Sequence, residues 1–143
     1  MYQNISTLTD AQAAQLHELY QHEWWSKGRQ ASDIQKMLLN SDYIFGMCEV
    51  QSQKLVAFAR VLSDRVYRAI VFDVIVAAEC RGMGLGHSLL KQIVQHPELS
   101  QIECIHLFCL PEMIPFYQKF GFVQAEPSLL VRLAKVASPP TYP

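Results

Sequence analysis

The segment Val74–Val94, VIVAAECRGMGLGHSLLKQIV, limits the possible folds more than any other part of the chain. Apolar β-branched residues run into three glycines within five positions, Gly82, Gly84 and Gly86. A stripe of Leu85, Leu89, Leu90, Ile93 and Val94 at helical spacing follows, and Pro97 closes it. A strand that turns through glycines into a helix aims several backbone N–H groups, and the positive end of the helix dipole, at one place. Each glycine also removes a Cβ that would hold a ligand away from the backbone. An anion, phosphate above all, is the natural guest, and Arg81 at the mouth of the turn adds a charge-assisted contact to a phosphate oxygen.

Two familiar phosphate turns do not fit. A P-loop closes with Gly-Lys-Ser/Thr, whereas Gly86 is followed by His87 and Ser88. The dinucleotide fingerprint would need glycine at position 87 or 89, occupied by His87 and Leu89, and the first half of the chain lacks its β-α-β alternation. A purely structural tight turn explains one or two of the glycines, but not three beside Arg81.

With 143 residues, half of them apolar, the chain is expected to form one domain with a buried core. Thr9 with Gln12 reads as a capping box opening a helix over about Asp10–Trp24, and Ser32 with Gln35 repeats the signal for a short helix ending near Asn40. YIFGMCEV and KLVAFARVLSD read as a hairpin, and AIVFDVIVA as a strand covered on both faces. Ile102–Leu110 is a further strand, and a short helix runs from about Pro111 to Gly121. FGFVQAE and LLVRLAKV read as the last strands, before a loose Pro-rich tail at 135–143.

Twelve basic and thirteen acidic residues, net charge −1, exclude the basic field that binds nucleic acid or anionic lipid. No apolar run approaches the roughly 20 residues that span a bilayer, and the N-terminus lacks a signal-peptide pattern, so a cytoplasmic location is expected. Cys48, Cys80, Cys104 and Cys109 form no C-x-x-C pair and no His follows at zinc-finger spacing; no metal site is expected.

Arg81-x-x-Gly84-x-Gly86, between a strand ending at Val76 and a helix, resembles the acyl-CoA pyrophosphate loop of the GNAT superfamily of N-acyltransferases. PFYQKFGF, Pro115–Phe122, is similar to the F-Y-x-x-x-G-F element that follows the next strand in that family, and the element order over residues 1–134 agrees. The resemblance implies a single-domain α/β fold with a mixed sheet flanked by helices, and acetyl-CoA as co-substrate. It implies that Val74, Ile75 and Val76 offer backbone groups to the pantetheine arm, while Arg81, Gly82, Met83, Gly84, Leu85, Gly86 and His87 hold the pyrophosphate. Tyr117 matches the tyrosine that faces the thioester sulfur in many members. Ala78 departs from a proline common in the family's strand-to-turn link, and the short stretch from Leu110 to Phe116 leaves few side chains for the adenosine end.

Acyl transfer to an amine needs a neutral amine, and an alkyl amine of pKa about 10.4 is mostly protonated at neutral pH. Asp73, inside the apolar run VFDVIV, is a candidate base; the alternative is a structural pair with Arg60 or Arg68, since an unpaired buried carboxylate is costly. Tyr117 is a weaker acid than a thiol, so a hydrogen bond to the developing thiolate is its more secure role; packing between Phe116 and Phe120 is the structural alternative. Cys109, at the end of a strand, is a conceivable acyl carrier that direct attack does not need. Trp24 and Trp25 are candidates to stack on the acceptor.

These readings converge on an N-acetyltransferase acting on a small primary amine by direct attack, with a homodimer through the terminal strands as a possible assembly. The alternative is a non-catalytic acyl-CoA sensor, and a nucleotide-binding regulatory domain is a weaker rival.

Overall fold

The computed structural model describes residues 1–134, 142 and 143. The chain runs β1 (Tyr2–Ile5), α1 (Asp10–Gln21), α2 (Ala31–Leu39), β2 (Tyr43–Glu49), β3 (Leu55–Ser63), β4 (Arg68–Val76), α3 (Leu85–Gln95), β5 (Cys104–Leu107) and α4 (Ile114–Gln118). The strands form one sheet in the order β1-β2-β3-β4-β5. All neighbours are antiparallel except β4 and β5, which are parallel and joined through α3, as a parallel pair requires a crossover. This is the mixed sheet flanked by helices that the sequence implies.

The Thr9–Gln12 capping box forms: the Thr9 hydroxyl accepts from the Gln12 N–H at 3.1 Å, and the Gln12 side chain accepts from the Thr9 N–H at 3.0 Å. α1 stops at Gln21, short of the expected Trp24. The His22 and Glu23 N–H groups donate three residues back, to Leu19 and Tyr20, and the Ser26 hydroxyl donates to the Tyr20 carbonyl at 2.9 Å, tightening the chain into successive turns. The second box does not form. α2 begins at Ala31 with Gln30 as an N-cap lacking a side-chain bond, and the Gln35 amide reaches Asp10 instead.

Each face of the sheet has its own core. α3 lays Leu85, Leu89, Leu90 and Ile93 on Met47, Val56, Ala69 and Val71, while α1 and α2 lay Ala13, Leu16, Tyr20 and Ile34 on Leu55, Phe58 and Ile75. A fully buried Leu or Ile of this kind contributes roughly 1.5–3 kcal/mol. β4 serves both cores because its register breaks. Arg60 pairs with Phe72 and Phe58 with Ile75, so Asp73 and Val74 together oppose Ala59, and Asp73 takes φ 59°. Simple alternation after Ala69 and Val71 would drive the Asp73 carboxylate into the α3 core. The bulge turns it toward α1, and Val74 and Val76 take over the α3 face.

The last expected strands are absent from the described residues. Residues 122–134 form no ladder and leave Val123, Leu130 and Val131 exposed; the remainder of LLVRLAKV and the Pro-rich tail at 135–141 lie outside the described residues. Strand preference is a fit to a half-buried pleated surface, and none of the described residues supplies that surface. β5 is likewise shorter than the expected Ile102–Leu110. β1 is an addition to the sequence reading; its Ile5 packs so closely on Gly46 that a Cβ there would lie 2.8 Å from Ile5 Cγ1.

Candidate active site

β4 outlasts its neighbour. Pairing with β5 ends at Val71 opposite Leu107, so from Phe72 to Val76 the β5-side edge of the strand has no strand partner among the described residues, while Ile75 and Val76 stay paired to β3 on the other side. A short helical turn, Ala78–Cys80, leads from this open edge to the glycines. Gly82 and Gly84 both take φ +79°, a left-handed conformation that side chains rarely adopt. Gly86 differs: a Cβ there would only touch Phe116 at 3.6 Å and Val76 at 3.8 Å. No side chain among the described residues caps α3, and the first bond of the helix runs from Ser88 N–H to Gly84 O at 3.0 Å. The Leu85, Gly86 and His87 amides therefore point outward without a partner among the described residues, as the first amides of a helix do.

The side chains around this turn are held in place. Arg81 donates from Nε to the Val76 carbonyl at 3.2 Å and forms an ion pair with Glu23 from the turn after α1. Met83 is exposed and accepts from the Tyr2 hydroxyl at 3.4 Å, and the His87 ring lies 4.9 Å from that of Phe120. Arg81 thus ties the end of β4 to the turn after α1.

Tyr117 in α4 is buried, with its ring against Phe116 at 5.0 Å and Phe122 at 6.2 Å. The sequence reading placed Phe120 on its second side; Phe120 instead packs between Phe116 and His87. The Tyr117 hydroxyl makes no hydrogen bond among the described residues, yet no fully buried side-chain polar atom lacks a partner there, so the hydroxyl opens to solvent space. Burial, and then the nearby Cys109, push its pKa up to about 12. Burial also raises the Cys109 thiol, which disfavours the nucleophilic thiolate.

Asp73 is the most heavily engaged polar group. Arg29 donates to both of its oxygens, at 2.7 and 3.1 Å, Arg60 Nε donates at 2.7 Å and the Tyr20 hydroxyl at 2.9 Å. Burial alone would raise its pKa; the hydrogen bonds and charge of Arg29, with those of Arg60, more than offset this and hold the carboxyl below its ordinary value. Burial, followed by the Asp73 charge, pushes Tyr20 far upward. Arg29 lies 4.5 Å above the Tyr20 ring and 5.7 Å from that of Trp25. Trp25 thus belongs to this cluster, half-buried, whereas Trp24 is 57% exposed. Of the two expected pairings for Asp73, that with Arg60 forms; Arg68 pairs with Glu103 on the surface.

A family model for the acetyltransferase (GNAT) family matches residues 8–122, most of the chain and all of the elements just described from α1 to α4. The chain belongs to the GNAT family. An uncharacterized N-acetyltransferase, ycf52, of Pyropia yezoensis is 32% identical over 77% of the chain, and the serotonin N-acetyltransferase 2, chloroplastic, of Oryza sativa is 31% identical over 66%. The chain spans 64% and 48% of the lengths of these two relatives. The crystal structure of a GNAT-family protein from Xanthomonas campestris pv. campestris superposes with a TM-score of 0.79 at 26% identity, covering 94% of each chain.

In this GNAT chain the sequence motifs fall on the open strand edge and the glycine turn, whereas no motif pointed to Tyr20, Arg29 or Glu23. Arg29 stands 44 residues before Asp73 and no spacing rule joins them. The one available signal was Asp73 itself, a carboxylate in an apolar strand that demands cations. A hollow of about 530 Å³ between the start of β2 and the end of α3 touches none of these residues. No helix among the described residues is long and apolar enough to cross a membrane.

Proposed function

We propose that this GNAT chain transfers the acetyl group of acetyl-CoA to a primary amine by direct attack. The observation that carries the reading is the continuous run from the unpaired edge of β4, through the left-handed glycines, to the uncapped amides of α3. Val74, Ile75 and Val76 would pair with the amide-bearing arm of the cofactor. The turn from Arg81 to His87, with Gly82, Met83, Gly84, Leu85 and Gly86 between them, would hold its pyrophosphate. Acetyl-CoA supplies the activated thioester; the rest is positioning and electrostatics by the protein.

The Tyr117 hydroxyl, lacking a partner among the described residues, is suited to donate a hydrogen bond to sulfur as negative charge gathers there. With its pKa near 12, full proton transfer to a thiolate of ordinary pKa about 8.5 is uphill by about 5 kcal/mol, so donation without transfer is the role that fits. Asp73 fits a positioning role better than that of a base. Its oxygens already accept four bonds and its pKa is depressed, so it holds Arg29, Arg60 and Tyr20 beside the open edge. Trp25 would wall the acceptor side. Four free cysteines suit a reducing compartment such as the cytoplasm.

Calorimetric titration with acetyl-CoA, combined with thiol release over a panel of amines, tests the reading. It expects binding and amine-dependent release of CoA; binding without turnover would instead identify a sensor.

A further inference from the structure

We infer that the amine acceptor carries a carboxylate, and that Arg60 binds it. The inference deepens the acetyl-transfer reading and rests on it. The observation behind it is a charge imbalance. Asp73 supplies one negative charge to two guanidiniums, Arg29 and Arg60, and neither bonds a second carboxylate among the described residues. Tyr20, its pKa raised, stays neutral.

The two arginines are not equivalent. Arg29 spends both terminal nitrogens on the Asp73 oxygens, whereas Arg60 commits only Nε, at 2.7 Å, and its two terminal nitrogens make no hydrogen bond among the described residues. Since no sealed polar atom lacks a partner, these nitrogens reach solvent, although the Arg60 side chain is only 15% exposed. The guanidinium is fixed on its remaining sides, with Asp73 at Nε and the Phe72 ring 4.8 Å below its carbon. A planar cation held at one edge, with two N–H-bearing nitrogens presented, matches the two oxygens of a carboxylate.

Its place in the fold suits an acceptor and not the cofactor's phosphates. Arg60 pairs with Phe72, where the unpaired edge of β4 begins, on the sheet face away from α3. The glycine turn and the α3 amides serve the other end of that edge. An acceptor reaching the open edge from the α1–α2 side therefore meets the excess positive charge before the thioester. A second amine would be repelled there, and the same field favours the neutral, nucleophilic form of the reacting amine. Polyamines and simple diamines are disfavoured on this ground; amino-acid-like acceptors are favoured.

The test compares matched pairs differing only in the carboxylate, phenylalanine against phenethylamine, leucine against 3-methylbutylamine and lysine against cadaverine, with phenylalanine amide as a neutral control. Each kcat/KM ratio is measured with saturating acetyl-CoA on the full chain. The acid of each pair is expected to be preferred on the order of 10- to 100-fold, the worth of a charge-assisted bond. In Arg60→Lys, which keeps a cation beside Asp73 but loses the planar pair of donors, the ratio should fall toward unity. Because both members of a pair are assayed on one preparation, loss of folded enzyme cancels in the ratio. Equal rates for acid and amine, a preference for cadaverine or the amide, or a ratio unchanged in Arg60→Lys overturns the inference and leaves acetyl transfer standing. Absence of turnover with every amine despite acetyl-CoA binding overturns both.

Discussion

Replacing Asp73 by Asn separates a positioning carboxylate from a catalytic base. The substitution keeps the size of the side chain but removes its charge and turns one acceptor oxygen into an N–H₂ donor facing other donors. Four bonds converge there, two from Arg29, one from Arg60 and one from Tyr20, around a carboxylate side chain only 4% exposed. Removing one partner of such a buried network costs about 3–5 kcal/mol, because the guanidiniums lose their counter-charge inside the protein. For a domain of this size each kcal/mol moves the melting temperature by about 3–5 °C, so a drop on the order of 10–20 °C is expected. The folded pKa of Asp73 lies below its unfolded value, so its stabilisation is present above about pH 4 and is lost as pH falls through the folded value. Urea unfolding of both proteins from pH 7 down to pH 3 should therefore show the gap between them narrowing with acid. Destabilisation below about 1 kcal/mol, together with loss of the acidic limb of the wild-type kcat/KM profile, would refute this argument and restore Asp73 as the base.

Tyr117→Phe should keep the melting temperature and the KM for acetyl-CoA close to wild type while lowering kcat by roughly 10- to 1,000-fold, measured by CoA release; unchanged kcat leaves Tyr117 a packing residue. Gly84→Val forces a β-branched side chain to φ +79°, so acetyl-CoA binding by calorimetry should be lost while the far-ultraviolet circular dichroism spectrum persists. Arg81→Ala should weaken acetyl-CoA binding by less than about tenfold, since the guanidinium is over half exposed and already paired with Glu23. Tyr20→Phe removes one bond to a carboxylate that keeps three others, and a loss of about 1–2 kcal/mol by urea unfolding is expected.

What the sequence disclosed was local or periodic. The Thr9–Gln12 box involves residues three apart and forms as read, and the glycine turn is a contiguous run in which Gly82 and Gly84 take the left-handed φ of +79° that a missing Cβ permits. The Ser32–Gln35 pattern had the same local form but lost to the geometry of the preceding turn, which starts α2 at Ala31. The network around Asp73 was half legible: an acid in an apolar strand called for Arg60, but the bulge that aims it at α1, and the distant Arg29, depend on how β3 and β4 align. The terminal strands were inferred from two apolar runs around a turn and from the order of elements, and neither supplies a partner edge; residues 122–134 form no ladder among the described residues. β1, four residues long, carried no periodic signal, although Gly46 inside β2 hinted at a close neighbour.

The central claim, acetyl transfer at the open edge of β4, is tested most directly by following the products. Acetyl-CoA incubated with the protein and the matched amines should yield N-acetylated amine, identified by mass spectrometry, in equal amount to released CoA. The Gly84→Val variant, folded by circular dichroism, should abolish both. Tight acetyl-CoA binding with no acetylated product from any amine, or product formation undiminished in Gly84→Val, would contradict the account.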